Sequence, residues 1–313
     1  ANFTLNDAFL VHTLFVDGII DKDYYANIIG RIENPTAPQV IKDIMETELG
    51  VSGIIDDTSY SAYASWIYEF TVHEKINSKK LLEGLASASP YIPRFDNMGT
   101  FHFEVIKDKY TGSPDHVIEE AEVIDYSFSR TDIEQVYTKI ELKYNWDYAR
   151  EEFLSSFTWN IEQAITAGDM GSYDRGYYGF PKNSAGNYEA IEDIYDPDAD
   201  STLVIDDDRG KYIRDQATAE NFTKWMLYWH MNSHLKLKVK LPLKSLIMSV
   251  GDIVKFDEVI GDVFPYGINY KTGTSDLPGG KAIYPRFMIL STNKTLEYCE
   301  VECIQMHDLS SSM

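Results

Sequence analysis

Cysteine is scarce in this chain, which has two among its 313 residues, Cys299 and Cys303. On a strand, residues four apart have α-carbons about 13 Å apart, which excludes a disulfide between them. With Val301 they form one face of the segment EYCEVECIQM, so we predict that both are small core residues. A chain without disulfides fits assembly in a reducing cytoplasm.

Long apolar runs are also missing. No stretch approaches the roughly 18 consecutive apolar residues of a membrane-spanning helix, so no membrane partner is expected. The first residues, ANFTLNDAFLVHTLF, lack the basic segment and the cleavage site of a signal peptide. Because the chain does not start with methionine, we expect either processing or a fragment of a longer chain.

Positive charge is in short supply. The chain has 28 Lys and Arg against 50 Asp and Glu, which gives a formal charge of −22. Specific nucleic-acid binding needs cations clustered against the phosphates, so we do not expect it. An acidic surface could instead line a tube that repels phosphate and lets DNA pass, or it could simply keep the protein soluble.

Motifs of established catalytic or cofactor chemistry are missing as well. No G-x-S-x-G, Walker A or G-x-G-x-x-G motif occurs between a strand and a helix, and no cofactor is predicted. Pairs of carboxylates are uninformative in a chain with 50 acidic residues. The sequence therefore assigns no catalytic, cofactor-binding or metal-binding residue.

One acidic segment has part of the spacing of a calcium loop. Asp196, Asp198 and Asp200 follow the 1, 3, 5 spacing, and Asp207 falls at position 12. Ser201 stands where the EF-hand loop needs glycine for its sharp turn, and no glutamate ends the loop. We therefore prefer a solvated acidic loop to a calcium site.

His230 and His234 are four residues apart, as the zinc ligands of many metalloproteases are. Those enzymes need a glutamate directly after the first histidine as general base, and Met231 stands there. We interpret the pair as histidines near a helix end, where the helix dipole is negative.

The most regular pattern in the chain is HLKLKVKLPLKSLIMSVGDIVKFD, residues 234–257. Four apolar residues alternate with Lys236, Lys238 and Lys240, which predicts a strand with an apolar inner face and a cationic outer face. Pro242 cannot donate to a ladder, which suits a strand end or an edge strand. The following Gly-Asp pair predicts a turn into a second strand.

Other elements are predicted from capping residues and apolar spacing. Three helices are expected after the N-caps Asn34, Asn77 and Asp215, and the first is expected to stop at Gly50. WIYEFTVHEKI is predicted as a strand, YIPRFDNMGTFHFEVIKD as a hairpin, and EEFLSSFTWNIEQAI as either helix or strand. Alternation in VYTKIELKYNW, RFMILSTN and LEYCEVECIQM predicts three more strands.

These elements together predict an α+β fold, in which antiparallel β-barrel-like structure is combined with a small α/β domain. We divide the chain into an α/β module at 1–112, a β-rich middle region with long loops at 113–204, and a C-terminal β-barrel-like domain with one packed helix at 205–313. The polar, turn-rich connector KDKYTGSPDH marks the first boundary.

Several segments resemble the tail hub proteins of tailed bacteriophages, which are the baseplate-hub and tail-tip proteins that close the tail tube. The resemblance is carried by LPL followed by GD and an apolar strand, by ENPTAPQVIKDIMETELGVSGIID, by FTVHEKINSKKLLEGLA, and by SRT, VYT, KY and DY in the stretch SRTDIEQVYTKIELKYNWDY. It spans residues 32–150 and 205–313.

The resemblance implies a structural, non-enzymatic protein of the phage virion, located in the tail and assembled in the host bacterial cytoplasm. Hub proteins are typically homotrimers, so the implied partners are further copies of the chain, the tail tube protein, other baseplate proteins and the spike or tip protein. DNA would pass through an acidic lumen. We predict that Lys236, Lys238 and Lys240 face an acidic neighbouring subunit, and that replacing all three with glutamate blocks assembly without unfolding the monomer.

Two alternatives stay open at this point. A tail-associated cell-wall hydrolase would bring carboxylates together in a pocket. A carbohydrate-binding tail protein is encouraged by 22 Tyr and 5 Trp residues, and exposed coplanar rings in the loop at 172–188 would support it.

Overall fold

A computed structural model gives the fold of the chain. It describes residues 32–51, 63–72, 76–96, 99–107, 110, 112–167, 202–231, 234–257, 265–270, 274–275 and 285–306. The loop at 172–188 and the carboxylates Asp196, Asp198 and Asp200 lie outside the described residues.

The helices of the described segments contribute to the first of three hydrophobic clusters, the third being the small group Met288, Ile304 and Met306. They are α1 (Ala37–Asp43), α2 (Ser78–Ser87), α3 (Ile161–Ala167), α4 (Asp208–Lys211) and α5 (Gln216–His230). A π-helical turn, Ile44–Glu48, extends α1. Among the described helices, none has the length and apolar character needed to cross a membrane.

The strands of the described ranges form four sheets. They are β1 (Tyr91–Phe95), β2 (Phe101–Val105), β3 (His116–Ile118), β4 (Asp125–Arg130), β5 (Lys139–Asp147), β6 (Glu152–Asn160), β7 (Thr202–Ile205), β8 (Leu235–Leu241), β9 (Ile253–Phe256), β10 (Ile268–Asn269), β11 (Thr274–Ser275), β12 (Phe287–Lys294) and β13 (Cys299–Gln305). The sheet orders are β1-β2, β10-β11, β6-β5-β7 and β3-β9-β12-β13-β8-β4.

The predicted caps of α2 and α5 are confirmed. The Asn77 side chain accepts a hydrogen bond from the Lys80 amide at 3.3 Å. The Asp215 carboxylate accepts one from the Thr218 amide at 2.7 Å. Each bond satisfies one of the amide donors that the first turn of a helix leaves without an intrahelical partner.

The first helix begins two residues later than predicted. Its N-cap is Thr36, whose amide donates to the Gln39 side chain at 2.9 Å. Asn34 has a φ of 50°, a left-handed conformation outside the helix, so it does not act as the cap. The predicted end is confirmed, because Gly50 follows the C-cap residue Leu49 with a φ of 67°.

Of the strand predicted for WIYEFTVHEKI, residues 66–76, the structure describes 66–72 and 76, and these residues pair with no strand in the described part of the chain. The Tyr68 amide instead donates to the carbonyl of Pro35 at 2.8 Å. Trp66 and Tyr68 are buried in the helical core. The first apolar residues of the predicted strand are therefore buried without strand pairing.

The predicted hairpin is confirmed as β1 and β2, which pair antiparallel with Tyr91 opposite Val105 and Phe95 opposite Phe101. Gly99, in the turn between them, has a φ of 82°, which favours glycine. The segment EEFLSSFTWNIEQAI, open between helix and strand, is both, because β6 continues directly into α3.

The first core joins the helices, the hairpin and the three-stranded sheet. Strand β5 has the predicted alternation, and its inward residues Ile140 and Leu142 are fully buried. Helix α5 packs on β5 and β6. Its aromatic stripe stacks along the helix, with the Phe222 and Trp225 ring centroids 6.2 Å apart. This stripe anchors the helix that leads into β8.

The second core lies on the inner face of the six-stranded sheet. All four apolar residues of β8 point into it, as predicted. Cys299 and Cys303 are free and buried in the same core, which confirms their predicted role, and burial raises the pKa of the Cys303 thiol. Because β8 lies between β13 and β4, Pro242 ends an interior strand, and the edge-strand interpretation is wrong.

The curled, mostly antiparallel sheets form a half-barrel beside a small helical region, which confirms the predicted α+β fold. The domain boundaries at 1–112, 113–204 and 205–313 stay a prediction. Strand pairing crosses the second boundary, since β3 and β4 of the middle region pair with β9 and β8 of the last one.

Candidate functional site

Strand β4 is an exposed edge of the half-barrel, and all six of its residues are exposed. Its register with β8 sets Tyr126 opposite Val239 and Phe128 opposite Leu237. Directly opposed residues share one face of a sheet, so both aromatic rings belong to the inner, apolar face. Tyr126 is nevertheless 37% exposed and Phe128 38% exposed. The core of the half-barrel is therefore incompletely covered at this edge.

The backbone of β4 also has bonding capacity toward the open edge. The Thr131 amide donates to the His234 carbonyl at 3.0 Å, in line with the β4–β8 register. Hydrogen-bonded and non-bonded pairs alternate along an antiparallel ladder, so the odd-numbered residues bond to β8. Phe128 and Arg130 then direct their N–H and C=O groups outward, where a strand of another chain could pair. The Tyr126 amide already donates to the Asp125 carboxylate at 2.9 Å.

Strand β4 has only some of the devices that commonly protect an edge strand, since Arg130, opposite Leu235, places one charge on the inner face. Its sequence, DYSFSR, contains neither proline nor lysine, and its ladder with β8 has no bulge. Tyr266 gives partial cover, since its ring makes an edge contact with Phe128 at 5.7 Å and lies 5.4 Å from the Arg130 guanidinium. Tyr266 is itself 46% exposed, so this contact extends the aromatic row toward solvent.

Two of the three predicted interface lysines have partners within the chain. Lys236, Lys238 and Lys240 lie on the outer face of β8, as their alternation predicts. The Lys238 ammonium lies 3.0 Å from the Glu300 carboxylate, and this contact raises the pKa of Lys238. The Lys240 ammonium lies 4.5 Å from the centre of the Tyr298 ring.

Lys236 is the member of the row whose charge is not matched nearby. It stands opposite Ile304 on β13 and Ser129 on β4, neither of which carries a charge. No salt bridge joins it to any residue that the structure describes. If the lysine row contacts a neighbouring subunit, Lys236 is the lysine whose charge can pair with an acidic residue of that subunit.

The backbone engages both ring nitrogens of His234, the second histidine of the pair. The ring nitrogens of His234 each lie 2.9 Å from a backbone carbonyl, Nδ1 from Gln305 and Nε2 from Trp229. Burial lowers the pKa of His234, while both hydrogen bonds act to raise it. In the described ranges, no group of three potential metal ligands comes together. His234 instead fastens the end of α5 to the end of β13.

Asp207, which falls at position 12 of the calcium-loop spacing, is the N-cap of helix α4. Its carboxylate accepts from the Arg209 amide at 3.0 Å and pairs with the Arg209 guanidinium at 2.7 Å. These contacts hold the pKa of Asp207 below its usual value. The other three carboxylates of the spacing lie outside the described residues, so the solvated-loop interpretation stays a prediction.

A groove of about 380 Å³ lies between α2, β1 and α5. Trp225 and Trp229 line it with rings that stack 6.3 Å apart. One carboxylate, from Glu83, is among its lining residues. Glycoside hydrolysis generally uses two carboxylates that flank the bond to be cleaved, and the groove supplies one.

Acid is expected to weaken the fold through His230. Burial, with His234 and Arg209 nearby, lowers the pKa of His230 from 6.5 to about 4. Between these values the unfolded chain binds a proton that the native state does not, so stability falls as pH falls, by up to about 3 kcal/mol. His230→Gln should remove this component. Urea unfolding at pH 7 and pH 4.5 measures it, and an equal loss in parent and variant would refute the assignment.

The exposed β4 edge was not identified from sequence. The signal available was the alternation of aromatic residues and serines in DYSFSR, which predicts a strand with one apolar face. Its position at an edge depends on pairing with β8, more than a hundred residues later in the chain. The alternation of residues within one strand does not indicate on which side that strand lacks a neighbouring strand.

The sequence matches no protein-family model and no curated protein. Solved structures similar to the chain include phage tail proteins. The 43 kDa tail protein of prophage MuSo2 from Shewanella oneidensis aligns with 90% of this chain and 68% of its own length, at 12% identity and a TM-score of 0.46. A tail protein from Neisseria meningitidis aligns with 88% and 67%, at 9% identity and a TM-score of 0.46.

A prophage tail protein from Listeria monocytogenes aligns with 85% of this chain and 63% of its own length, at 16% identity and a TM-score of 0.42. The chain thus spans about two thirds of the length of these three structures. Similarity at this level does not by itself establish a common fold or function.

Proposed function

We propose that this chain is a structural protein of a bacteriophage tail, a hub or baseplate protein that closes the tail tube and connects it to the spike or tip. The observation that carries the proposal is the half-barrel whose sheet ends in the exposed, partly apolar strand β4. The segments that resemble hub proteins support the same role and favour a homotrimer.

An open half-barrel favours assembly for a physical reason. The rings of Tyr126 and Phe128 extend the apolar inner face but stay partly in water. Burying such side chains fully stabilises a complex by about 1–2 kcal/mol each, and a paired strand would also satisfy the outward backbone groups. In a threefold ring each copy uses one surface against its neighbour and a different one against the next, so each β4 edge would be covered once.

The proposal also assigns partners and location. The role is structural and non-enzymatic, in the virion tail, after assembly in the host bacterial cytoplasm. Its partners are two further copies of the chain, the tail tube protein, other baseplate proteins and the spike or tip protein. The formal charge of −22 suits a lumen that repels phosphate, so DNA passes without being bound specifically.

The lysine row is tested best at Lys236. Replacing all three lysines would also place new carboxylates beside Glu300, Glu302 and Asp125, which lie next to the row. That variant would weaken the sheet and assembly together. We expect Lys236→Glu to reduce self-association about tenfold or more, because a cation facing an acidic neighbour becomes a like charge. Sedimentation velocity over a concentration series measures the change.

The matched control for this variant is Lys79→Glu, an exposed lysine on α2 whose replacement changes the net charge equally. Urea unfolding should show that both variants keep the parent stability within about 0.5 kcal/mol, as surface substitutions usually do. If both variants weaken self-association equally, or neither does, the lysine row is not a subunit interface.

A further inference from the structure

Four exposed aliphatic side chains lie at one end of the six-stranded sheet. They come from the residue before β4, from the 3-10 helix that follows β8, and from the turn between β12 and β13. We call them the apolar rim: Ile124, Leu243, Ile247 and Leu296, which are 60%, 46%, 73% and 95% exposed.

Three contacts bring the segments of the apolar rim to the same end. The Ile124 amide donates to the Lys240 carbonyl at 2.9 Å, at the end of β8. The Lys240 ammonium lies over the ring of Tyr298, two residues after Leu296 in the β12–β13 turn. Lys244, in the 3-10 helix, forms a salt bridge with Glu122, just ahead of β4.

Apolar side chains in these places need a reason. Single exposed aliphatic residues are ordinary on a protein surface, but several from separate segments at the same end of a sheet indicate an interaction site. Short turns such as the one at Leu296 usually carry polar residues, glycine or proline. Leu296 is almost fully exposed there, so it gains nothing from its own fold.

The charges around the apolar rim distinguish among its possible occupants. Asp125 and Glu297, which are exposed, adjoin Ile124 and Leu296 in the sequence, whereas the cations Lys240 and Lys294 at this end of the sheet are half-buried. The nearby Lys244 is already matched by Glu122. A second acidic rim and an anionic membrane would both be repelled, whereas a surface with lysine or arginine would be attracted.

We propose that the apolar rim is a docking surface for a different protein, whose contact face combines apolar side chains with lysine or arginine. The partner covers the four aliphatic residues, and its cations pair with the flanking carboxylates. The surface does not depend on self-association through β4, so it stands whether or not the chain forms a trimer.

The test uses an amphipathic helical peptide of leucine and lysine as the probe, with binding followed by fluorescence anisotropy. The variant is Ile247→Ser with Leu296→Ser, which removes two aliphatic side chains and changes no charge. We expect it to bind the peptide about tenfold or more weakly than the parent, because the buried apolar area is lost. Since the charge is unchanged, attraction of a cationic peptide to an acidic protein cancels in the comparison.

The matched control is Leu154→Ser on β6, a leucine that is 47% exposed in the other sheet and should bind like the parent. A second peptide with glutamate in place of lysine should bind at least about tenfold more weakly. Equal peptide binding by the rim variant and the control would overturn the proposal. Preference of the parent protein for the glutamate peptide would also overturn it. The same holds if the parent binds phosphatidylglycerol vesicles and the rim variant does not, or if the parent self-associates and the rim variant does not.

Discussion

The double variant Tyr126→Lys with Phe128→Lys is expected to stay monomeric at concentrations at which the parent protein self-associates. Both side chains belong to the inner face of the half-barrel at its open edge, where they are partly exposed. Two ammonium groups there would have to be desolvated when a second copy covers the edge, which costs several kcal/mol. Lysine at an edge is also a device that proteins use to prevent strand pairing.

The control for this variant is Leu154→Lys with Val204→Lys. These residues are exposed apolar positions on β6 and β7, the two edges of the three-stranded sheet. The control adds the same charge to edge strands that we do not assign to an interface. Sedimentation velocity should show the parent assembly for the control and a single monomer boundary for the β4 variant. Parent-like assembly of the β4 variant would show that another surface holds the copies together.

Gly210→Ala is expected to lower the free energy of unfolding by about 3 kcal/mol, near the upper end for overpacking a core. Gly210 is buried in the short helix α4. A β-carbon on it would overlap the backbone carbonyl of Lys143 on β5 and touch the ring of Phe153 on β6. A backbone carbonyl within a sheet cannot rotate away as a flexible side chain can, so α4 would have to move from the sheet.

Gly112→Ala is the matched control, because a β-carbon at Gly112 meets no atom within 4 Å. We expect its stability to stay within about 0.5 kcal/mol of the parent. Urea denaturation followed by tryptophan fluorescence measures both variants. If Gly210→Ala were as stable as Gly112→Ala, the close packing of α4 on β5 would be wrong.

Elements whose signal is local could be predicted from sequence. The caps Asn77 and Asp215 act on amides three residues away, and both predictions are confirmed. The alternation in β8 and β5 reports which side chains are buried, and the structure follows it. The late start of α1 was also readable, because Thr36 and Gln39 have the spacing of a capping box.

Features that depend on distant pairing could not be predicted in the same way. Burial explains Trp66 and Tyr68 as well as a strand would, and only the arrangement of the sheets shows that no strand pairs there. The outer face of the lysine row followed from its period of two. The pairing of Lys238 with Glu300 on β13 could not be predicted, because the register between strands so far apart in sequence is set by the whole sheet.

The most direct test of the proposed tail role is the mass of the native protein in solution, measured by sedimentation equilibrium up to the highest soluble concentration. Assembly through the open edges of the half-barrel predicts a concentration-dependent species at three times the chain mass of 35.8 kDa. Negative-stain images of that species should show a threefold ring with a central channel. A single species at 35.8 kDa throughout the concentration range would contradict the account.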